Sequence, residues 1–298
     1  MKDLISVITT FYNSEKYILQ CIKSVNEQIV DNTFDIEYIL INDCSEDKSE
    51  SIINEYFNES KNINYKIIKN EKNFGSGISK KLGIQNANGD YFMFLDSDDY
   101  YLNNDFILRA HKLIVNYKAD IIEFGYQRYL INENRKIYKV VDSIIEVKND
   151  PIIKFDYLCT SHIINYMIWT KIIKRSIVES KSYDEMNSYD DVKTTPYWIY
   201  NANKIIIYPS VEINYRNRKN SIINNNDVQK CVDLISAVSS LFEFFKSNKD
   251  ILKILYKSII NELKYILLNF NSDFNEFNYI SKLNEYMLSY IFEKDNIK

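Results

Sequence analysis

The chain has 298 residues and a mass of 35.5 kDa, which is room for one large domain or for one domain with an appendage. It carries 37 basic and 41 acidic residues, a formal net charge of −4, whereas a dedicated nucleic-acid binder usually shows a basic domain or stripe. Hydrophobic residues make up 46% of the chain, a share typical of a folded protein and too high for a disordered one. These values exclude a nucleic-acid-binding or disordered protein.

The first half alternates β-rich runs with amphipathic helical runs. Buried strands are predicted at residues 4–9, 38–41, 65–69 and 91–95. One helix is predicted to be capped by Ser14, the next by a capping box of Asp47 and Glu50, and a third to cover residues 78–87. Strand, helix and strand at this spacing predict an α/β fold, with a mostly parallel sheet and helices on both faces.

The second half is less regular and ends in helices. A strand is predicted at residues 121–126, a hairpin at 132–135, and a helix opened by Asp150 and Pro151. Three helices are predicted from residue 227 onward, broken near Asn248 and at residues 271–275. We therefore expect a catalytic domain at 1–223, with halves 1–100 and 101–223, and a C-terminal helical region at 224–298.

Cysteine spacing and hydropathy indicate the cellular location of the protein. The cysteines never approach a Cys-x-x-Cys spacing, which favours free thiols in a reducing cytoplasm. No apolar stretch approaches the roughly 20 residues of a membrane span, and the apolar run at residues 4–8 is too short for a signal peptide. We expect a cytoplasmic protein, with peripheral contact at the inner face of the membrane left open.

Polar clusters follow each of the four predicted strands of the first half, and such ends meet in one cleft of a parallel sheet. The strongest is the segment LDSDD at residues 95–99, because it places three carboxylates directly after an apolar strand. Like charges this close favour a cation, and oxygen-only ligands select Mg²⁺ or Mn²⁺. The alternative is a solvated aspartate run that caps the next helix.

The segment NFGSG at residues 73–77 offers backbone N–H groups to a phosphate at a helix start. The dinucleotide pattern G-x-G-x-x-G fails at Lys80, so Gly75 and Gly77 are more typical of a turn. Neither His111 nor His162 has a ligand spacing, and core or surface roles are expected for both.

In this order, the elements resemble the family-2 glycosyltransferases of the GT-A fold. The resemblance rests on SVITTFYNSEKYILQCIKSVNEQ at 6–28, ILINDCSEDKS at 39–49 and NANGDYFMFLDSDD at 86–99. It continues more loosely through IWTKIIKRSIV, YDDVKTTPYWI and INYRNRKNSII to residue 223, similar to bacterial enzymes that build lipooligosaccharide, capsule or other surface glycans. The resemblance implies a Rossmann-like GT-A sheet and inverting transfer from a UDP-sugar donor to a glycan or glycolipid acceptor.

The resemblance also implies roles for individual residues. Tyr12 would pack on uracil, and the backbone of Thr10 would line the nucleotide pocket. Asp43 would accept a hydrogen bond from uracil or ribose. Asp96 would lie near the ribose and metal, and Asp98 would bind Mn²⁺ or Mg²⁺ at the diphosphate. Asp191 would be the base that deprotonates the acceptor hydroxyl. Lys80 stands where the family often has Arg, and Asn42 where it has the first Asp of a pair.

Several alternatives stay open at this stage. Trp169 and Trp198 stack on an acceptor sugar or belong to the core, the core being favoured. Arg216 and Arg218 clamp the diphosphate or lie in a solvated loop. The C-terminal helices pack on the catalytic domain, form a homo-oligomer or dock on a membrane. The Q-x-x-R-W motif of processive relatives is missing, which favours addition of one sugar per encounter.

Two other functions compete with sugar transfer. A sugar-nucleotide pyrophosphorylase needs an N-terminal Gly-rich loop with Arg, and residues 4–13 contain neither. A noncatalytic sugar-nucleotide-binding or scaffold protein is expected to lose the metal aspartate or the base, whereas Asp98 and Asp191 both stand.

Overall fold

The computed structural model describes residues 2–129, 135–138, 141–179, 189–216, 228–269 and 274–291. Its first half contains four strands, all parallel to one another: β1 (Asp3–Phe11), β2 (Phe34–Asn42), β3 (Asn64–Lys69) and β4 (Tyr91–Phe94). Strand β1 pairs with β2 on one side and β4 on the other. Its consecutive residues Val7 and Ile8, which point to opposite faces, are both buried, as expected for a parallel strand covered by helices on both faces.

Three helices connect these strands: α1 (Ile18–Asn26), α2 (Ser49–Glu59) and α3 (Ser76–Asn86). A Cβ atom at Gly83 would lie 2.5 Å from Cγ2 of Ile8, so α3 approaches β1 as closely as it does because position 83 has no side chain. The predicted cap at Ser14 is wrong: Tyr17 precedes the helix, and the Ser14 hydroxyl lies 2.8 Å from that of Ser97. This pairing ties the segment after β1 to the segment after β4.

The capping box predicted before α2 does not form, because Lys48 precedes the helix and its side chain does not cap it. The Asp47 carboxylate accepts from the N–H of Ser49 at the helix start. Glu50, however, accepts from the Asn42 side chain at 2.6 Å and does not return to the helix end. Glu50 bonds to Asn42 and not to the helix end, because the side-chain amide of Asn42 is buried and needs an acceptor.

The second half continues the same sheet. Its strands are β5 (Tyr100–Tyr101), β6 (Ile121–Tyr129), β7 (Arg135–Tyr138), β8 (Ile145–Val147), β9 (Lys171–Lys174) and β10 (Ile205–Arg216). Its helices are α4 (Phe106–Tyr117), α5 (Pro151–Cys159), α6 (Arg175–Glu179) and α7 (Asp190–Asn201), with a 3-10 turn at Ile168–Thr170. Asp150 caps α5, its carboxylate accepting from the N–H of Ile153, and Pro151 is the first helical residue, as predicted.

Within the described residues the sheet has ten strands, with the main order β3-β2-β1-β4-β9-β6-β10-β5. Strands β6 and β10 run in the same direction as β1 to β4, because β9 is antiparallel to both β4 and β6. Strands β6 and β7 pair antiparallel, in agreement with the predicted hairpin, although residues 132–134 of its turn lie outside the described residues. The mostly parallel α/β sheet predicted from the sequence is confirmed.

The C-terminal part consists of α8 (Val228–Phe244), α9 (Lys249–Asn269) and α10 (Phe274–Ile291) in the residues described. The break predicted near Asn248 is present, and the Asn248 side chain accepts from the N–H of Ile251 at the start of α9. The domain boundary predicted at 223 and 224 lies outside the described residues. In the part of the chain that is described, no helix combines the length and apolar character needed to cross a membrane.

Candidate active site

The carboxyl ends of β1, β2 and β4 lie side by side. Phe11 at the end of β1 is paired with Asn42 at the end of β2, and its carbonyl accepts from the N–H of Asp43 at 2.9 Å. On the other side, the N–H of Leu95 donates to the carbonyl of Ile8 at 3.0 Å. The segments that begin at Tyr12, Asp43 and Asp96 therefore leave the sheet at one edge, as the sequence predicted.

Tyr12 and Thr10 are accessible at this edge. The Tyr12 side chain is 47% exposed and Thr10 is half-buried. An aromatic ring this exposed beside a polar cleft offers a face on which a base can stack.

Asp43 organises the glycine turn that follows β3. Its buried carboxylate accepts from the side-chain amide of Asn70 at 2.7 Å and from the N–H groups of Phe74 and Gly75 at 2.9 and 2.8 Å. Gly75 has φ 89°, a conformation that strains any residue with a Cβ. Since Oδ1 carries two of these bonds and Oδ2 one, capacity for a further donor remains on Oδ2.

The aspartate run after β4 contains three different environments. Asp96 is half-buried, while Asp98 and Asp99 are buried. The Asp99 carboxylate accepts from the N–H of Arg216 at 2.8 Å. Burial, reinforced by the neighbouring charges of Asp98 and Asp96, raises the pKa of Asp99 well above its usual range. Asp99 therefore serves to hold this loop, while Asp96 is the most accessible carboxylate of the run.

A second acidic segment meets the first through Lys80. Asp190 and Asp191 begin α7, and the Lys80 ammonium, on α3, lies 3.2 Å from the Asp190 carboxylate. Although burial disfavours the charged form of Lys80, the carboxylates of Asp190, Asp96 and Asp191 outweigh it and raise its pKa. One ammonium thus lies among carboxylates that are far apart in the sequence.

Asp191 has the protonation behaviour of a base that works near neutral pH. Burial, followed by the charge of Asp190, raises the pKa of Asp191 to about 6, against the opposing effect of Lys80. Its Oδ1 accepts from the N–H of Val192 at 2.8 Å. A carboxylate with this pKa is mostly ionised at neutral pH and is still basic enough to accept a proton.

Both tryptophans are core residues, as the favoured interpretation held. Trp198 is fully buried and its ring lies parallel to that of Phe94, with centroids 6.3 Å apart. Trp169 is 7% exposed and stacks on Tyr215 at 5.4 Å. Neither ring offers a face to a sugar.

The sequence did not predict several contacts within the site. Asn70 supports Asp43, Asp190 holds Lys80, and Ser97 joins Ser14. Asn70 comes directly after β3 and Asn42 is the last residue of β2, and an asparagine at the end of each strand was the signal available in the sequence. Ser97 gave none, because its partner lies on another segment. Arg218 lies outside the described residues.

The oxygen donors of Asp96 and Asp98 fit a hard divalent cation. Among the residues that the structure describes, no group of three or more His, Cys, Asp or Glu side chains is placed to hold a metal by itself. Such a donor set suits an ion that shares its coordination with substrate phosphates. Two clefts of about 350 and 530 Å³ lie elsewhere: Asp3 and Asp90 are among the residues that line the first, and α5 and Ile254 contribute to the second.

The chain is similar in sequence to bacterial glycosyltransferases. The model of the family described as glycosyl transferase family 2 matches residues 6–180. The chain is 28% identical over 225 residues to the glycosyltransferase GlyA of Streptococcus pneumoniae, covering 74% of this chain and 31% of GlyA. It is also 28% identical over 206 residues to the poly(ribitol-phosphate) beta-N-acetylglucosaminyltransferase TarS of Staphylococcus aureus, covering 68% of this chain and 33% of TarS. The chain thus spans about a third of the length of these two relatives.

Solved structures show the same fold. The structure of S. aureus TarS residues 1–349 in complex with UDP-GlcNAc superposes with a TM-score of 0.77 at 21% identity, covering 99% of this chain and 82% of that one. A mannosyltransferase from Pyrobaculum calidifontis, in complex with GDP-Man and Mn²⁺, gives a TM-score of 0.57 at 11% identity, covering 99% and 89%. The fold is therefore the GT-A fold. With more than half of its residues matched by the family model, the chain belongs to glycosyl transferase family 2, and it is a glycosyltransferase.

Proposed function

We propose that this glycosyltransferase transfers a single sugar, with inversion, from a UDP-sugar to a glycan or lipid-linked acceptor in bacterial surface polysaccharide or lipooligosaccharide biosynthesis. The observation that carries the proposal is the position of Lys80, which lies among Asp96, Asp190 and Asp191. It brings a donor-side carboxylate and a candidate base into one cluster at the edge of the sheet where ligands bind.

The donor would bind across the ends of β1, β2 and β4. Tyr12 would stack on the uracil ring, with the backbone of Thr10 beside it, and the remaining lone pair of Asp43 Oδ2 would accept from uracil or ribose. The UDP-GlcNAc in the TarS complex supports a uridine donor. Asp96 would lie near the ribose, while Lys80 would supply positive charge to a phosphate of the donor.

Asp98, together with Asp96, would hold Mn²⁺ or Mg²⁺, which when bound offsets the negative charge on the departing diphosphate. The Mn²⁺ in the mannosyltransferase complex supports this assignment. Asp191 would remove the proton of the acceptor hydroxyl as that oxygen attacks the anomeric carbon from the face opposite to the diphosphate. A single displacement of this kind inverts the anomeric centre. The missing Q-x-x-R-W motif supports nonprocessive addition.

The proposal places the enzyme in the cytoplasm, where the buried thiols of Cys21 and Cys159 stay reduced. Both are free in the structure, and burial raises the pKa of Cys21 to about 12 and that of Cys159 to about 11. An acceptor carried on a lipid would bring the enzyme to the inner face of the membrane. Helices α8–α10 are the part proposed for membrane contact or for a homo-oligomer.

A panel of sugar nucleotides tests the proposal. UDP-sugars with Mn²⁺ should raise the melting temperature, because a ligand at 100 times its Kd adds about 2.7 kcal/mol to the stability of the protein that binds it. The UDP-sugar that stabilises the protein most should also be hydrolysed slowly, with release of UDP. The Asp98→Ala mutant should lose the Mn²⁺-dependent part of the affinity for UDP. If no UDP-sugar stabilises the wild-type chain while GDP-sugars do, the assignment of the donor is wrong.

A further inference from the structure

Arg216 donates three hydrogen bonds, two to the aspartate loop at residues 96–99 and one to helix α1. Its Nη1 donates to the main-chain carbonyl of Asp98 at 2.9 Å, and its Nη2 donates to the side-chain carbonyl of Gln20 on α1. Its own backbone N–H donates to the Asp99 carboxylate at 2.8 Å. A single residue at the end of β10 therefore contacts both the loop after β4 and helix α1.

Two aromatic rings flank the same guanidinium. Its carbon lies 5.2 Å from the ring centroid of Tyr17, which precedes α1, and 5.1 Å from that of Tyr100, which follows the aspartates. Both distances are within the range of cation–π attraction. The guanidinium thus contacts two rings and donates two of its five N–H groups to protein acceptors.

We infer that Arg216 is a positioning residue of the donor site, which fixes the main chain of Asp98 against the start of α1, and that it is not a ligand of the donor diphosphate. The inference rests on the proposed function, in which Asp96 and Asp98 face the donor. A bidentate phosphate ligand needs two parallel donors directed at the phosphate, whereas the orientation of the Arg216 fork is fixed by a carbonyl, an amide oxygen and two aromatic rings. Arginine suits this place because its fork bonds two acceptors at once while its face stacks, which a lysine cannot do.

The two roles predict different losses in Arg216→Lys, which keeps the charge and removes the fork. A positioning role predicts that uridine and UDP, measured by calorimetry without metal, weaken by the same factor, on the order of tenfold for one lost charged hydrogen bond. A diphosphate ligand predicts that uridine binding is unchanged, that UDP weakens, and that the lysine retains part of the affinity.

Hydrogen exchange of the ligand-free protein gives a second measurement, independent of binding. Amides of residues 96–101 should exchange on the order of tenfold faster in Arg216→Lys, since the loop loses its anchor. The matched control is Arg175→Lys: Arg175 donates to the carbonyls of Gly89 and Ala87 at 2.7 and 3.0 Å and lies over Phe92, at the other end of β4. That control should leave residues 96–101 and both affinities unchanged.

Unchanged exchange at residues 96–101 in Arg216→Lys overturns the inference. A loss of affinity for UDP alone, with uridine binding unchanged, also overturns it. Faster exchange with unchanged affinities for uridine and UDP overturns it too, because the order of the loop would then not affect donor binding. If Arg216→Lys does not fold, Gln20→Ala removes one acceptor at an exposed position, and it should speed exchange at 96–101 to a smaller extent. A wild-type chain that binds no uridine compound would refute the proposed function, while the exchange comparison would still decide what Arg216 holds.

Discussion

At the residue scale, the candidate site depends on which carboxylates are already committed to protein partners. Asp99 is bound by the backbone of Arg216 and Asp43 by the glycine turn. Asp96 is the more accessible member of the aspartate run, and Asp191 has a pKa raised to about 6. Composition and spacing could not separate these acids, because their differences come from burial and from neighbours contributed by distant segments.

Asp191→Asn separates a base from a helix-terminal acid. The amide keeps the shape and can complement the start of α7, so folding and UDP binding should be nearly normal. It cannot take a proton, so turnover should fall on the order of 10² to 10⁴-fold. Steady-state kinetics measures the turnover, and calorimetry with UDP measures the affinity. A mutant turnover close to that of the wild type would show that Asp191 is not the base and would make Asp190 the next candidate.

The pH profile follows from the charges around Asp191. The ionised carboxylate is the active form, so kcat/KM should fall as the pH drops through about 6. Lys80→Met removes the cation that stabilises this ionised form, so the acid limb should move to higher pH, whereas Lys80→Arg should restore it. An acid limb at the same pH in all three proteins would show that Asp191 does not control the profile.

Tyr12→Ala tests the nucleotide pocket. Since Tyr12 is 47% exposed, its removal should change the melting temperature little. UDP and UDP-sugar should both weaken by about 1–3 kcal/mol, the range for a base stacked on an aromatic ring. Calorimetry on the mutant measures the loss, and equal affinity in both proteins would place Tyr12 outside the site.

At the scale of elements, the loops that follow parallel strands are held by side chains from the neighbouring loops. The sequence located the strands because their apolar runs are bounded by polar clusters. It did not reveal the partners of Ser14 and Glu50, since local capping and a tertiary hydrogen bond compete for the same side chains. In both cases the tertiary partner prevails.

Asp43→Asn tests the contact between the β2 loop and the glycine turn. Replacing one carboxylate oxygen by an NH₂ group removes the Asp43 acceptor from at least one of the N–H groups of Phe74 and Gly75 and brings an NH₂ donor against it, which should cost about 1–3 kcal/mol of unfolding free energy. Urea denaturation measures the loss. The control is Asp35→Asn on β2, the strand that precedes Asp43; the exposed pair of Asp35 with Lys2 should contribute less than about 1 kcal/mol. Equal losses in the two mutants would contradict the role of Asp43.

At the scale of the whole molecule, the C-terminal helices pack on the sheet domain, one of the alternatives that the sequence left open. Phe245 lies against Phe155 of α5 at 5.1 Å and against Tyr197 of α7 at 6.0 Å. The Tyr197 hydroxyl donates to the carbonyl of Ser240 at 3.1 Å. Because α7 also begins with Asp191, the helical region supports the element that carries the candidate base.

Phe245→Ala should therefore destabilise both parts together. The side chain is 3% exposed, so its loss should cost about 3–5 kcal/mol and lower a single unfolding transition. Phe244→Ala is a matched control, since Phe244 contacts the same Tyr197 but is 49% exposed, and it should cost clearly less. Two separate transitions in calorimetry would show that the helical region does not stabilise the catalytic part.

The sequence by itself determined the alternating strands and helices, the polar edge of the sheet and the family, because apolar periodicity and contiguous motifs are local properties of the chain. The tertiary structure decided the burial and pKa of each acid and placed both tryptophans in the core. It also decided that Lys80 pairs with Asp190 and that Arg216 bonds to the aspartate loop. Those outcomes depend on contacts between segments far apart in the chain, where burial and the balance of neighbouring charges set the state of each group.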